Sequence, residues 1–270
     1  MTDLAQRFLS LHRGDRPLVM PNPWDRGSAV LLESLGFEAL ATTSSGFAAT
    51  LARLDGMVTR DEAIAHAAEI VEAVDVPVSA DLENGFADDP ADVAETVRLA
   101  LDVGLAGCSI EDFGGRESDT IYDPGLAAER VAAAADAAHS GSSGTLVLTA
   151  RAENHIHGRD DLADTIARLQ SFQEAGADVL FAPGVRELDQ IRELTSSVDL
   201  PVNVLVLPGM PSVSDLADAG VSRISVGGAF AFAAYGAAAA AGRELLEAGT
   251  YGYWETAAAG AKATREAFGR

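Results

Sequence analysis

Eight short apolar, β-branched runs recur along this chain, and a helical pattern follows each. They occupy residues 17–21, 39–43, 76–82, 107–113, 145–150, 179–183, 201–207 and 224–228. Most are continuously apolar rather than alternating, the pattern of parallel strands covered on both faces. Between them, Thr59-Arg-Asp-Glu62 forms a capping box ahead of an apolar stripe at Ile64, Ala67, Ala68 and Val71. Asp89-Pro90 marks a second helix start, continued by Val93, Val97, Ala100 and Leu101. A third stripe, Leu162, Ile166, Leu169 and Phe172, stops near Gly176. Eight βα repeats in 270 residues predict an α/β fold, a single (β/α)8 TIM barrel spanning 1–270. An open doubly wound sheet is the alternative, but no Gly-x-Gly-x-x-Gly follows an early strand. Residues 229–270 run past the eighth strand as an extra, alanine-rich C-terminal helical segment. It reads as two helices around Tyr251-Gly-Tyr-Trp254, suited to packing or oligomerisation.

Charge narrows the partners. A net charge of -22 argues against nucleic acid and anionic membrane surfaces. The single cysteine, Cys108, lies in an apolar run, so a buried thiol is expected and no disulfide framework exists. The first ten residues do not read as a signal peptide, and 229–242 is too short and too weakly apolar for a membrane span. A soluble, cytoplasmic protein is expected.

In a barrel the active site lies at the C-terminal strand ends. These offer Asn22, Trp24 and Asp25; Thr42 to Gly46; Asp81 and Glu83; Glu111 and Asp112; Arg151 and Glu153; Pro183; and Asn203. Asp81 and Glu83 are two apart, so on a strand they point to one side. With Glu111 they form an oxygen set suited to Mg²⁺, or Mn²⁺. Otherwise the acids cap helices or line solvated loops. His155 and His157 lack a partner at zinc-ligand spacing. Ser44-Ser45-Gly46-Phe47 offers N–H groups and hydroxyls to an anion, or is an ordinary strand-to-helix turn. Arg151 suits a bidentate pair with a substrate carboxylate, or a structural pair with Glu153 or Glu111. A cation site and an anion site at one mouth suggest an enzyme that handles a small carboxylate through a metal.

Five motifs carry a family resemblance: Asn22-Pro-Trp-Asp25 with Ser28-Ala29; Thr43-Ser-Ser-Gly-Phe47 followed by Leu54-Asp55-Gly56; Asp81-Leu-Glu-Asn-Gly85; Ile110-Glu-Asp112; and Thr149-Ala-Arg151. With Pro201-Val-Asn203 and residues 220–228, they make the chain resemble the isocitrate lyase and phosphoenolpyruvate mutase superfamily from about residue 15 to about 240. The resemblance implies Asp81 as direct metal ligand, with Asp55, Glu83 and Glu111 reaching Mg²⁺ directly or through water. It implies Ser45 and the N–H groups of Gly46 and Phe47 as the pocket for substrate carboxylate and oxo oxygens. Arg151 matches the arginine that steadies the departing group, so Asp55, Glu111 and Arg151 form the implied catalytic set. The shared chemistry is a pyruvate-type enolate, and the assemblies are homodimers or homotetramers that swap the last helix.

One stretch departs from the superfamily. The isocitrate and methylisocitrate lyases carry Lys-x-Cys-Gly-His after the Glu111 position, and the mutases carry a lysine and an asparagine there. Here the stretch reads Asp112-Phe-Gly-Gly-Arg-Glu-Ser-Asp-Thr-Ile-Tyr122. Arg116 is its only cation, and Gly114-Gly115 reads as a lid hinge or a plain loop. The resemblance therefore narrows to the phosphonomutase-like, carboxyvinyl-carboxyphosphonate phosphorylmutase-like branch. The expected function is Mg-dependent C–C cleavage of a small α-oxo or 2-hydroxy acid, as in an oxaloacetate decarboxylase. The alternatives are a C–P bond phosphonomutase or phosphonopyruvate hydrolase-like enzyme, and a non-catalytic dicarboxylate-binding barrel. Specificity is expected in the 113–123 loop, in Asn203 and near His155.

Overall fold

All eight apolar runs form strands. The computed structural model describes residues 3–115, 120–140 and 145–269. In chain order the strands are β1 (Leu18–Met20), β2 (Leu40–Ala41), β3 (Val78–Asp81), β4 (Gly107–Glu111), β5 (Val147–Arg151), β6 (Val179–Phe181), β7 (Val202–Leu205) and β8 (Arg223–Ser225). Each is shorter than its apolar run, because the run continues into the turn that feeds the next helix. All pairings are parallel, in the order β1-β8-β7-β6-β5-β4-β3-β2. The remaining seam between β1 and β2 is bridged at its top, where the Ala41 N–H donates to the Pro21 carbonyl at 3.1 Å. The eight strands thus make an almost closed barrel ringed by helices.

The helices are α1 (Asp3–Leu11), α2 (Arg26–Ser34), α3 (Ser44–Thr50), α4 (Arg60–Val71), α5 (Pro90–Asp102), α6 (Pro124–Ser140), α7 (Leu162–Glu174), α8 (Leu188–Ser196), α9 (Val213–Asp218), α10 (Ala229–Glu247) and α11 (Trp254–Phe268). Several start where side chains satisfy first-turn N–H groups that a helix cannot bond internally. Thr59 and Glu62 form the capping box of α4, and the Asp89 carboxylate accepts from the Ala91 N–H ahead of Pro90. The inner faces of α5 and α7 meet the strands through Val93, Val97, Leu169 and Phe172, all buried. Cys108 is fully buried in β4, and burial pushes its thiol up to about 12, so it is inert.

The bottom of the barrel is closed by α1. Phe8 is fully buried against Leu18, Met20, Val147 and Val179. Gly107 makes room for that plug: a Cβ there would lie 2.7 Å from the Phe8 ring and 2.9 Å from the Val147 carbonyl. The top is tied by Asn22. Its amide donates to the Thr42 carbonyl at 3.0 Å, and its oxygen accepts from the N–H groups of Val226 and Gly227. Asn22, expected as a polar group at the mouth, therefore staples the ends of β1, β2 and β8.

The tail forms the two expected helices around the aromatic turn. α11 lies against α2 of its own chain, with the Phe268 ring 3.8 Å from a Cβ position on Gly27. α10 buries only Ala231 and leaves Phe232, Tyr235 and Leu246 exposed. No helix among the described residues is long and apolar enough to cross a membrane.

Candidate active site

The inward positions of the strands recur every second residue, as the pleat requires. They read Ser79 then Asp81 on β3, Ser109 then Glu111 on β4, Thr149 then Arg151 on β5, and Arg223 then Ser225 on β8. Barrel interiors are filled mainly by branched apolar residues. Here small polar side chains leave a cavity of about 560 Å³ that opens at the C-terminal strand ends and runs down the barrel.

Five carboxyl groups at the mouth surround one guanidinium: Asp55, Asp81, Glu83, Glu111 and Glu153 line the cavity with Arg151. The Arg151 Nη1 lies 2.8 Å from the Asp81 Oδ1, Nη2 lies 3.1 Å from the Glu111 Oε2, and Nε lies 2.8 Å from the Glu153 Oε1. Arg151 thus makes both ion pairs anticipated for it and a third, with Asp81. Burial alone would lower its pKa, but Glu153, Glu111 and Asp81 raise it well above the usual arginine value.

The acids are short of positive charge. Burial, then the charges of Asp81 and Asp55, push Glu83 up to about 8. Burial raises Glu111 well above the carboxylate range against the pull of Arg151. Asp55 is raised by burial and by Asp81, with a hydrogen bond from Ser44 opposing. As they stand, no three His, Cys, Asp or Glu groups among the described residues are close enough to hold a metal. The chemistry of the donors nevertheless fits a hard divalent ion: they are all carboxylate oxygens, partly desolvated and mutually repelling.

Glu83 reaches the cavity by a different route from the one its spacing suggests. β3 ends at Asp81, and Glu83 sits at φ +48, in the left-handed region that side chains disfavour. Its carboxyl is aimed by a turn rather than by strand alternation. That turn is held by the buried Arg130 of α6, whose guanidinium donates to the carbonyls of Asn84, Ala87 and Asp88 and stacks on the Tyr122 ring.

At the β2 end, Thr42 to Ser45 face the cavity, whereas Gly46 and Phe47 do not. Ser44 to Thr50 is the helix α3, and its first turn already uses the N–H groups expected to meet a substrate. The Gly46 N–H donates to the Thr43 Oγ1 at 3.3 Å and the Phe47 N–H to the Thr43 carbonyl at 3.0 Å. The Phe47 ring stacks instead on His66, 3.8 Å between centroids. The group presented here is the Ser45 hydroxyl, while the Ser44 N–H donates to the Asp81 Oδ2 at 3.2 Å. Gly228 closes over Ser45 so tightly that a Cβ would lie 2.6 Å from the Ser45 Oγ.

Asn203 lies lower in the same cavity, and His157 at its rim, stacked on Phe113 at 3.7 Å. His155 points away, its Nδ1 2.9 Å from the Thr165 hydroxyl. Asp112 points away from the cavity, accepting from the Glu153 N–H and pairing with Arg168 of α7 at 3.0 Å, so it shapes the Arg151–Glu153 turn. Arg116 lies outside the described residues. On either side of it, Phe113 and Ile121 form an antiparallel bridge. Arg223 is a charged cavity residue for which no role was expected; the two-residue spacing Arg223-x-Ser225 is the signal that locates it.

The raised Glu83 carboxyl has a measurable consequence. Its folded pKa of about 8 exceeds the ordinary 4.5, so its contribution to stability is full below about 4.5 and is lost as pH rises through about 8. Denaturant melts of metal-free protein should show stability falling across that window, and Glu83→Gln should flatten the slope. An unchanged slope in the variant would contradict the assignment.

Acids and an arginine gathered at the C-terminal strand ends of a barrel mark an enzyme site. Residues 8–246 match the phosphoenolpyruvate phosphomutase family, and the chain belongs to that family of lyases and mutases. A solved structure of a candidate lyase/mutase from Burkholderia cenocepacia J2315 is 48% identical, covering 93% of this chain and 91% of that one with a TM-score of 0.90. An uncharacterised protein of Mycobacterium tuberculosis is 34% identical over 242 residues, 89% of each chain. The structure of a 2,3-dimethylmalate lyase is 26% identical with a TM-score of 0.84, covering 93% of this chain and 90% of that one.

Proposed function

We propose that the protein is a Mg²⁺-dependent lyase that cleaves a C–C bond of a small α-oxo or 2-hydroxy acid. The observation that carries this reading is the set of five carboxyl groups around one guanidinium at the mouth of a polar-lined barrel. Asp81, Glu83 and Glu111 would hold the ion, with Asp55 reaching it through water. Bound there, Mg²⁺, or Mn²⁺ in its place, supplies Lewis-acid stabilisation of the charge that develops on the substrate's oxo oxygen.

The chain's own groups do the rest. Arg151 holds the Asp81 and Glu111 carboxyls in place through its ion pairs and presents N–H donors to the substrate carboxylate. The Ser45 hydroxyl directs a fixed dipole to the same end of the substrate, and the Ser44 N–H holds Asp81 in place beside it. Asp55, already raised in pKa, is placed to exchange a proton. The barrel wall excludes water from the other side.

Purified protein offered oxaloacetate, acylpyruvates, 2-methylisocitrate and phosphonopyruvate, with product identification, tests the reading. Mg²⁺-dependent cleavage of a C–C bond supports it, and no turnover of any of them with or without metal overturns it. Turnover of phosphonopyruvate alone would favour the C–P chemistry of the mutases. The stretch after Glu111, without the lyase cysteine, favours a second reading, a dicarboxylate-binding barrel; oxalate binding without turnover would select it.

The exposed apolar residues of α10 support a homodimer or homotetramer built through the tail, with exchange of the last helix between subunits. Light scattering of the full chain should give a mass of two or four subunits. Phe232→Glu with Leu246→Glu should shift it to the monomer. A monomeric wild type would remove this part of the proposal.

A further inference from the structure

Arg223 is a buried cation with no counter-ion among the described residues. It is 3% exposed, yet it lines the lower part of the cavity. Among the described residues no carboxylate oxygen lies within 4.0 Å of its guanidinium. Charged side chains are almost never fully buried unless paired, because the loss of hydration goes uncompensated.

Three uncharged acceptors orient it instead. Its Nε donates to the Asn203 Oδ1 at 2.9 Å, and Nη2 to the Thr149 Oγ1 at 3.0 Å. Its Nη1 lies 3.1 Å from the His12 Nε2. The His12 Nδ1 is 2.8 Å from the Phe8 carbonyl, which only accepts, so Nδ1 carries the ring proton and Nε2 is left bare. Burial, then the Arg223 charge, holds His12 down to about 3, so it stays neutral. Burial, then the Arg151 charge, lowers Arg223 to about 9, which leaves it a cation at neutral pH.

This framework aims a guanidinium without neutralising it. The cavity is therefore polarised along its axis, with an excess of carboxylates at the mouth and a lone cation at the floor. Thr149 stands two residues below Arg151 on β5, a drop of about 7 Å at strand rise. A short dicarboxylic acid spans such a distance.

We propose that Arg223 is an anion anchor that binds the far carboxylate of a dicarboxylic substrate whose reacting end sits among the acids at the mouth. The assignment rests on the lyase reading and makes it specific: the substrate is a dianion, and the fragment left at the floor is itself a carboxylate. Asn203 and Thr149 are positioning residues, because they act by orienting Arg223.

Calorimetric titration of the full chain with Mg²⁺ present tests this. The probes are oxalate, which fills the mouth only, and two pairs matched in length: malate with 2-hydroxybutyrate, and 2-hydroxyglutarate with 2-hydroxyvalerate. In the wild type at least one dicarboxylate should bind tenfold or more tighter than its monocarboxylate match. Arg223→Met should erase that difference and leave oxalate within about twofold, and Arg223→Lys should restore part of it. Equal binding within both pairs overturns the anchor even if the variants fail to fold. Equal weakening of oxalate and dicarboxylate in Arg223→Met also overturns it, in favour of a structural role. Failure of oxalate to bind the wild type would sink the lyase reading itself, and the anchor with it.

Discussion

Asp81→Ala should lower Mg²⁺-dependent turnover by about 10³-fold or more, the scale of losing a group that stabilises transition-state charge. Asp81 is the hub of the mouth. It pairs with Arg151 at 2.8 Å, accepts from the Ser44 N–H, and its charge helps raise both Glu83 and Asp55. Its removal takes away one acid from an overcrowded set, so the fold should survive and both neighbours should move towards ordinary carboxylate pKa values. The thermal midpoint should therefore change little while Mn²⁺ affinity collapses. Kinetics with the cleaved substrate, a Mn²⁺ titration and a melt of the same sample check the three parts. Turnover within tenfold of wild type would remove Asp81 from the reaction.

Arg151→Met should do the reverse and damage stability first. It leaves Asp81, Glu111 and Glu153 without their shared cation inside the barrel. Breaking a buried ion pair by deleting one partner costs about 3–5 kcal/mol. The loss should depend on pH in a defined direction. Burial already raises Glu83, Glu111 and Asp55, and loss of the guanidinium raises them further. Groups with raised folded pKa values destabilise as pH rises above their unfolded values, so the variant should be nearest to wild type near pH 4.5 and weakest near pH 8. Saturating Mg²⁺ should return part of the stability at pH 8, and potassium should not. Urea melts at both pH values, with each ion, decide the matter. A loss independent of pH and metal would mean that Arg151 acts through packing on the Phe181 ring, whose centroid lies 5.1 Å from its guanidinium carbon, rather than through charge.

The barrel was legible because each strand is a separate apolar run, and burial on both faces leaves that mark whatever the helices do. The mouth acids were legible for the same reason: Asp81 and Glu111 end such runs. Three features escaped. The left-handed turn at Glu83 depends on Arg130, 47 positions further along, and no local pattern encodes that clamp. The N–H groups of Gly46 and Phe47 were expected to be available, but Thr43 caps α3 through its side chain and carbonyl. Arg223 hid because its partners come from the turn after α1, from β5 and from β7, residues joined only by barrel closure. Its inward position follows from the two-residue spacing to Ser225, yet spacing alone does not reveal that no acid meets it.

The plug formed by Phe8 has a kinetic meaning. For the proposed lyase, a well closed at one end gives two products a single exit. The fragment nearer the floor leaves only after the one above it has gone, so release is ordered by depth. The product released last then competes directly with substrate for the empty well, while the one released first inhibits noncompetitively. Initial-rate inhibition patterns would thus report which half of the substrate lay deeper, without a structure of the complex.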